Sequence, residues 1–66
     1  MRKKIKIALA DDEILIRQGI KTILLQENEF EVVFDVSNGK ELIVTLEENP
    51  QNLPDIILMD INMPEY

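Results

Sequence analysis

Three aspartates are placed where a short α/β chain can use them for chemistry. Asp11 and Asp12 close one apolar run, KIKIALADD, and Asp60 closes another, DIILMD. Carboxylates held close together destabilise one another unless something compensates. A hard divalent cation such as magnesium does so, taking oxygen ligands at about 2.0–2.1 Å in an octahedral shell that keeps several waters. An aspartate beside such a cation can attack phosphorus and form an acyl phosphate. Taken singly, the acids have plainer readings: Asp12 before a helix is an N-cap, and Asp60 after a strand is a turn residue. The chemistry depends on whether the fold brings the two ends of this sequence together.

The elements that would do so are legible from periodicity. In KIKIALA, Ile5, Ile7 and Leu9 alternate with Lys4, Lys6, Ala8 and Ala10, which is a strand pattern whose small alanines let a helix approach closely. After Asp12 the period changes. Ile16, Ile20, Ile23 and Leu24 fall on one helical face, with Arg17, Gln18 and Lys21 directed away from it. Asp11, Asp12 and Glu13 stand at the helix start, where the dipole favours negative charge. The helix is expected to reach about Gln26. VVFDV is a second strand, and SNG a turn in which Ser37 or Asn38 caps the next helix. KELIVTLEEN carries Leu42, Ile43 and Leu46 as an apolar stripe until Pro50 ends it, and PQNLP is a loop. IILM is apolar without alternation, as in a parallel strand covered on both faces.

The order is β-α-β-α-β. Parallel strands joined by helices take right-handed crossovers in about 98% of cases. With strand one central, the chain moves out to strand two and returns past strand one to strand three, giving order 2-1-3 with helices on opposite faces. That reversal leaves a crevice at the carboxyl ends of strands one and three, where open α/β sheets bind ligands. Asp11 and Asp12 lie at one of those ends and Asp60 at the other.

Composition narrows the alternatives. A chain of 66 residues makes one domain at most, and buries only about 60% of the surface its unfolded form exposes. It has no cysteine and no histidine, so neither disulfides nor zinc can add stability. Tight packing, a partner or self-association remain. The net charge is −6, and the basic residues cluster only at Arg2, Lys3, Lys4 and Lys6. Nucleic-acid modules show the opposite balance, so no direct contact with DNA or RNA is expected. No apolar run approaches the ~20 residues needed to span a bilayer, and the first residues do not read as a signal peptide. With cysteine absent, a cytoplasmic setting is expected. The first strand-to-helix turn lacks the glycine fingerprint of dinucleotide sites.

The segments IALADDE, RQG, EVVFDVSNGKEL and DIILMDINMP, in this order and spacing, resemble the first half of a response-regulator receiver domain, over essentially the whole chain. RQG and VVFDVSNG lean toward the subfamily that carries a C-terminal helix-turn-helix output domain. The resemblance implies a flavodoxin-like doubly wound parallel sheet, truncated to β-α-β-α-β. It implies that Asp60 accepts a phosphoryl group from a sensor histidine kinase, that Asp12 binds magnesium directly and that Asp11 acts through water. Asn62 would lend the metal its backbone carbonyl. Met63 and Pro64 match the following turn, and Asn38-Gly39 the start of the second helix. The chain is then a phosphoacceptor and not itself an enzyme. Aspartate-nucleophile phosphohydrolases, by contrast, separate their two acids by one residue, whereas Asp11 and Asp12 are adjacent.

The sequence departs from the family pattern in length. A receiver domain has five strands and five helices. The second half supplies a hydroxyl residue after strand four and a lysine after strand five, and no lysine here matches by position. Without that lysine an aspartyl phosphate loses a charge-assisted partner worth about 1.5–3 kcal/mol, so phosphorylation of this chain alone is expected to be weak. PQNLP is also longer than usual. Strand three becomes an edge, and an exposed apolar edge invites pairing with another chain. A two-fold dimer through strand three is therefore expected. A second reading makes the chain an assembly unit, with self-association as its property and its acids as relics.

Overall fold

In the computed structural model, the structure describes residues 3–60. The elements run β1 (Ile5–Ala10), α1 (Ile14–Leu25), β2 (Phe30–Val36), α2 (Gly39–Glu48) and β3 (Ile56–Met59). Both neighbours of β1 pair with it in parallel, and the strand order is β2-β1-β3. The doubly wound arrangement expected from the crossovers is present. β2 is two residues longer at its start than VVFDV, since Ile5 N–H donates to Glu29 O at 2.8 Å and draws Phe30 and Glu31 into the ladder.

The two sheet faces separate as the alternation in β1 requires. Ala8 and Ala10, both fully buried, pack with Leu42 of α2, and Phe34, Val36 and Leu46 close around them. Methyl-sized residues on β1 let α2 settle directly on the sheet. Ile43 does not join this stripe and is 49% exposed. The cap of α2 is Asn38, whose Oδ1 accepts from Glu41 N–H at 2.8 Å, while Glu41 Oε1 accepts from Ser37 N–H at 2.9 Å. This reciprocal pair satisfies donors that a helix start leaves open.

The opposite face carries Leu9 and α1, and here two expectations are corrected. Asp12 is not the N-cap of α1. Glu13 holds that position with extended backbone, and its side chain makes no capping bond. Asp11 turns the chain instead, its Oδ1 accepting from Glu13 N–H at 2.8 Å, so the Asp12 carboxylate is not engaged as a cap. Second, Arg17 and Lys21 do not point away from the sheet. Both are half-buried and reach Asp35 of β2, at 3.3 Å and 3.4 Å. Of the expected apolar stripe, Ile20 and Leu24 are half-buried while Ile16 and Ile23 are exposed.

A bulge explains the second correction. Ile7 pairs with Val32, but Ala8 pairs with Phe34, so Val33 is the extra residue in β2. Such a bulge re-aims every side chain beyond it. An unbroken ladder would have put Asp35 opposite Ala10, on the packed α2 face. The slip sets it opposite Leu9, on the face of α1, where two cations meet it.

Candidate functional site

The sheet ladder itself carries the acids to one rim. Asp11 N–H donates to Val36 O at 3.1 Å, one residue beyond β1, and Asp60 N–H donates to Ala10 O at 3.1 Å, one residue beyond β3. Both aspartates thus stand on backbone hydrogen bonds at the carboxyl ends of paired parallel strands. Asp55 registers β3 from its other end, with its N–H donating to Lys6 O at 2.7 Å and its Oδ2 accepting from Lys6 N–H at 2.9 Å.

Asp11, Asp12 and Asp60 converge. One carboxylate oxygen from each lies within 4.8 Å of the other two. Asp11 is buried, Asp12 is exposed and Asp60 is half-buried, so the cluster opens outward from a fixed floor. Its donors are all hard oxygens, and the chain offers no histidine or cysteine. Oxygens on opposite sides of an octahedral magnesium stand about 4.2 Å apart, twice the ~2.1 Å bond length. The set fits such an ion with slight closure, or with one acid reaching it through water. Asn62 lies outside the described residues.

Beside the acids runs a crevice of about 490 Å³ between α1 and the β1–β3 edge, lined by Leu9, Ile16, Arg17, Leu58 and Asp60 among others. The cation in this lining is Arg17, and its guanidinium is engaged from several sides. Nη1 donates to Asp11 O at 2.7 Å and to Val36 O at 3.1 Å, with Ser37 Oγ at 3.4 Å. Nε faces Asp35 Oδ2 at 3.3 Å as an ion pair, without the alignment of a hydrogen bond.

The comparisons with known proteins bear on this geometry. A family model, the response regulator receiver domain, matches residues 7–66. The chain belongs to the receiver-domain family of response regulators. Receiver domains act in two-component signalling, and the sheet order and acid-bearing rim are what membership predicts. The chain is 48% identical over 62 residues to the transcriptional regulatory protein DegU of Brevibacillus brevis, covering 94% of this chain and 25% of that protein. It is 47% identical over 64 residues to a nitrate/nitrite response regulator protein homolog of Haemophilus influenzae, covering 96% and 29%. A protein-glutamate methylesterase/protein-glutamine glutaminase 2 of Carboxydothermus hydrogenoformans is 42% identical over 62 residues, covering 94% and 17%. The chain thus spans less than a third of the length of these curated relatives.

Periodicity misses the pair that braces the rim, Arg17 and Asp35, and Lys21 beside them, although two signals are available. A charge inside the run VVFDV must find a partner, because a buried lone charge is costly. Two basic residues at i and i+4 stand on one helix face, where a shared acid relieves their repulsion. Among the described residues, no helix is long and apolar enough to cross a membrane.

Proposed function

We propose that Asp60 accepts a phosphoryl group from a histidine kinase, in a crevice where Asp11 and Asp12 hold a magnesium ion and Asn62 contributes its backbone carbonyl. The observation that supports this reading is the convergence of three carboxylates from distant positions in the chain on one rim, within 4.8 Å. A carboxylate oxygen of Asp60 attacks phosphorus, the new O–P bond forms as the P–N bond to the donor imidazole breaks, and the imidazole nitrogen keeps the electron pair and takes a proton. Magnesium, when bound, offsets the charge of the phosphoryl oxygens and the acids. The protein's part is placement. β3 ends by presenting Asp60 from a backbone bonded to β1, and Asp11 is fixed by its bond from Glu13 N–H. Asp60 is itself changed by the event, so the chain is the acceptor and not a turnover catalyst.

In the whole protein this module would govern a transcriptional output in the cytoplasm, through a helix-turn-helix domain. The name of one relative, the transcriptional regulatory protein DegU, favours the transcriptional output. A weak transfer is expected for this chain, since among the described residues the crevice cation, Arg17, already serves Asp35 and two carbonyls. Incubation with magnesium and a small acyl phosphate, read by intact mass and peptide mapping, tests the assignment. A low-yield, magnesium-dependent label on Asp60, absent from Asp60→Asn, is expected. Label that persists in Asp60→Asn, or that forms equally without magnesium, contradicts it.

One observation favours self-association in addition. Ile56, Ile57, Leu58 and Met59 are each 41–42% exposed, and among the described residues β3 pairs only with β1. Pairing of two β3 strands about a two-fold axis would cover that edge. Sedimentation at micromolar concentration should give a dimer, and a compact monomer rules the pairing out.

A further inference from the structure

We infer that Arg17 is a positioning residue for the acid rim, oriented by Asp35, and that the bulge at Val33 exists to make this contact. The inference rests on the magnesium reading given above and assigns a role to residues that take no part in it. Asp11 and Asp12 lie on a short connection between β1 and α1, and a loop that must present carboxylates to a cation needs its backbone fixed. That backbone is held at both peptide groups of Asp11. Its N–H donates to Val36 O, and its carbonyl accepts from Arg17 Nη1 at 2.7 Å. The same Nη1 reaches Val36 O at 3.1 Å, so one guanidinium nitrogen ties together the carboxyl ends of β1 and β2.

The clamp has its own support. Arg17 sits one helical turn after the N-cap, and its N–H donates to Glu13 O at 3.0 Å, so α1 and the loop are registered by the same residue. Its side chain is only 13% exposed, and Asp35 faces Nε from the sheet. Asp35 is available there because Val33 is left out of the ladder and β2 shifts by one. Lys21 meets the other Asp35 oxygen at 3.4 Å. The chain of contact runs Val33 bulge, Asp35, Arg17, Asp11 carbonyl, acid rim.

The sign of the effect separates positioning from electrostatics. A fixed positive charge near a cation site repels the cation. If Arg17 acted only through its charge, removing it would tighten magnesium binding. A positioning role predicts the reverse. Supporting partners of metal ligands cost about 10–100-fold in affinity when removed, and Arg17→Met is expected to weaken magnesium binding about tenfold, despite the lost charge. Arg17→Lys keeps the charge and one donor nitrogen for the carbonyls but has no second nitrogen to face Asp35, so it should recover part of the loss. Lys21→Met removes a neighbouring charge that pairs with the same acid, and should leave affinity unchanged or slightly tighter.

The test is calorimetric titration of magnesium into the folded chain and each variant, below their unfolding midpoints. Amide exchange at Asp11 and Glu13 is measured alongside and should accelerate in Arg17→Met. If Arg17→Met does not fold, Arg17→Lys decides: with the charge kept, a purely electrostatic role predicts unchanged affinity, whereas positioning predicts a smaller loss in the same direction. Variants that lower the unfolding midpoint but bind magnesium as the parent does reduce Arg17 to a structural role and overturn the inference. Affinity that rises in Arg17→Met overturns it as well. A parent chain with no saturable magnesium response defeats both this inference and the magnesium reading, whereas a parent that binds while Arg17→Met is unchanged defeats this inference alone.

Discussion

The two faces of the sheet are held by different physics. On the α2 face, Ala8, Ala10 and Leu42 are buried, Phe34, Val36 and Leu46 pack against them, and a reciprocal cap starts the helix. On the α1 face the helix buries no residue completely, its start has no side-chain cap, and Arg17 and Lys21 join it to the sheet through Asp35. Apolar packing makes the first face a fixed platform. Directional polar contacts fix the second face at its acid-bearing end. On this face Ile7 and Leu9 of β1 are buried, but the apolar side chains of α1 are only half-buried or exposed. A small chain thus holds its two helices differently: α2 by burial of its own apolar side chain, and α1 by polar contacts that also place the acids.

The largest effect should come from Leu42. Leu42→Ala removes the buried side chain that joins α2 to both alanines, and losses for such substitutions run about 2–5 kcal/mol. Domains have only about 5–15 kcal/mol in total, so urea unfolding should show a strongly lowered midpoint. A change below about 1 kcal/mol would mean that the α2 face is not the platform. Asn38→Ala should cost about 1 kcal/mol, the usual worth of a cap, and the same denaturation curves report it. Gly19 lies inside α1, and a Cβ built there meets nothing within 4 Å. Gly19→Ala should therefore stabilise the chain by about 0.5–1 kcal/mol, seen as a rise in midpoint. A loss at this site would show that α1 is more tightly confined than its exposure implies. Ile23 is 64% exposed, and Ile23→Ala should stay within about 0.5 kcal/mol. The contrast between Leu42 and Ile23, two large apolar residues on helices of one chain, is the sharpest form of the comparison.

Much of the fold could be read from the residues, because its rules are local. The alternation in KIKIALA gives β1 and assigns its alanine face to a helix. Asn38 and Pro50 mark the ends of α2 within a residue or two, and IILM matches β3 in full. The sheet order follows from crossover handedness and places the three aspartates on one rim without any knowledge of coordinates. What period counting leaves out is the half-turn logic around α1. A helical wheel sorts residues by polarity, and so it sent Arg17 and Lys21 outward and Ile16 and Ile23 inward. The bulge at Val33 reversed that logic, because one unpaired residue changes which face Asp35 occupies. Period counting assumes an unbroken ladder, and nothing in VVF announces the break. Asp12 escaped for a related reason: whether an acid before a helix caps it depends on one residue of register, and here Glu13 holds the capping position while Asp11 turns the loop.

The proposed chemistry requires that the aspartates at 11, 12 and 60 form one cation site. Its most direct test is magnesium titration of the parent chain against Asp12→Asn and Asp60→Asn, followed by chemical-shift changes of the backbone amides. A single saturable transition centred on Asp11 to Glu13 and Asp60, lost or strongly weakened in either variant, is the predicted result. Shifts that never saturate, or a transition that survives both substitutions unchanged, would contradict it.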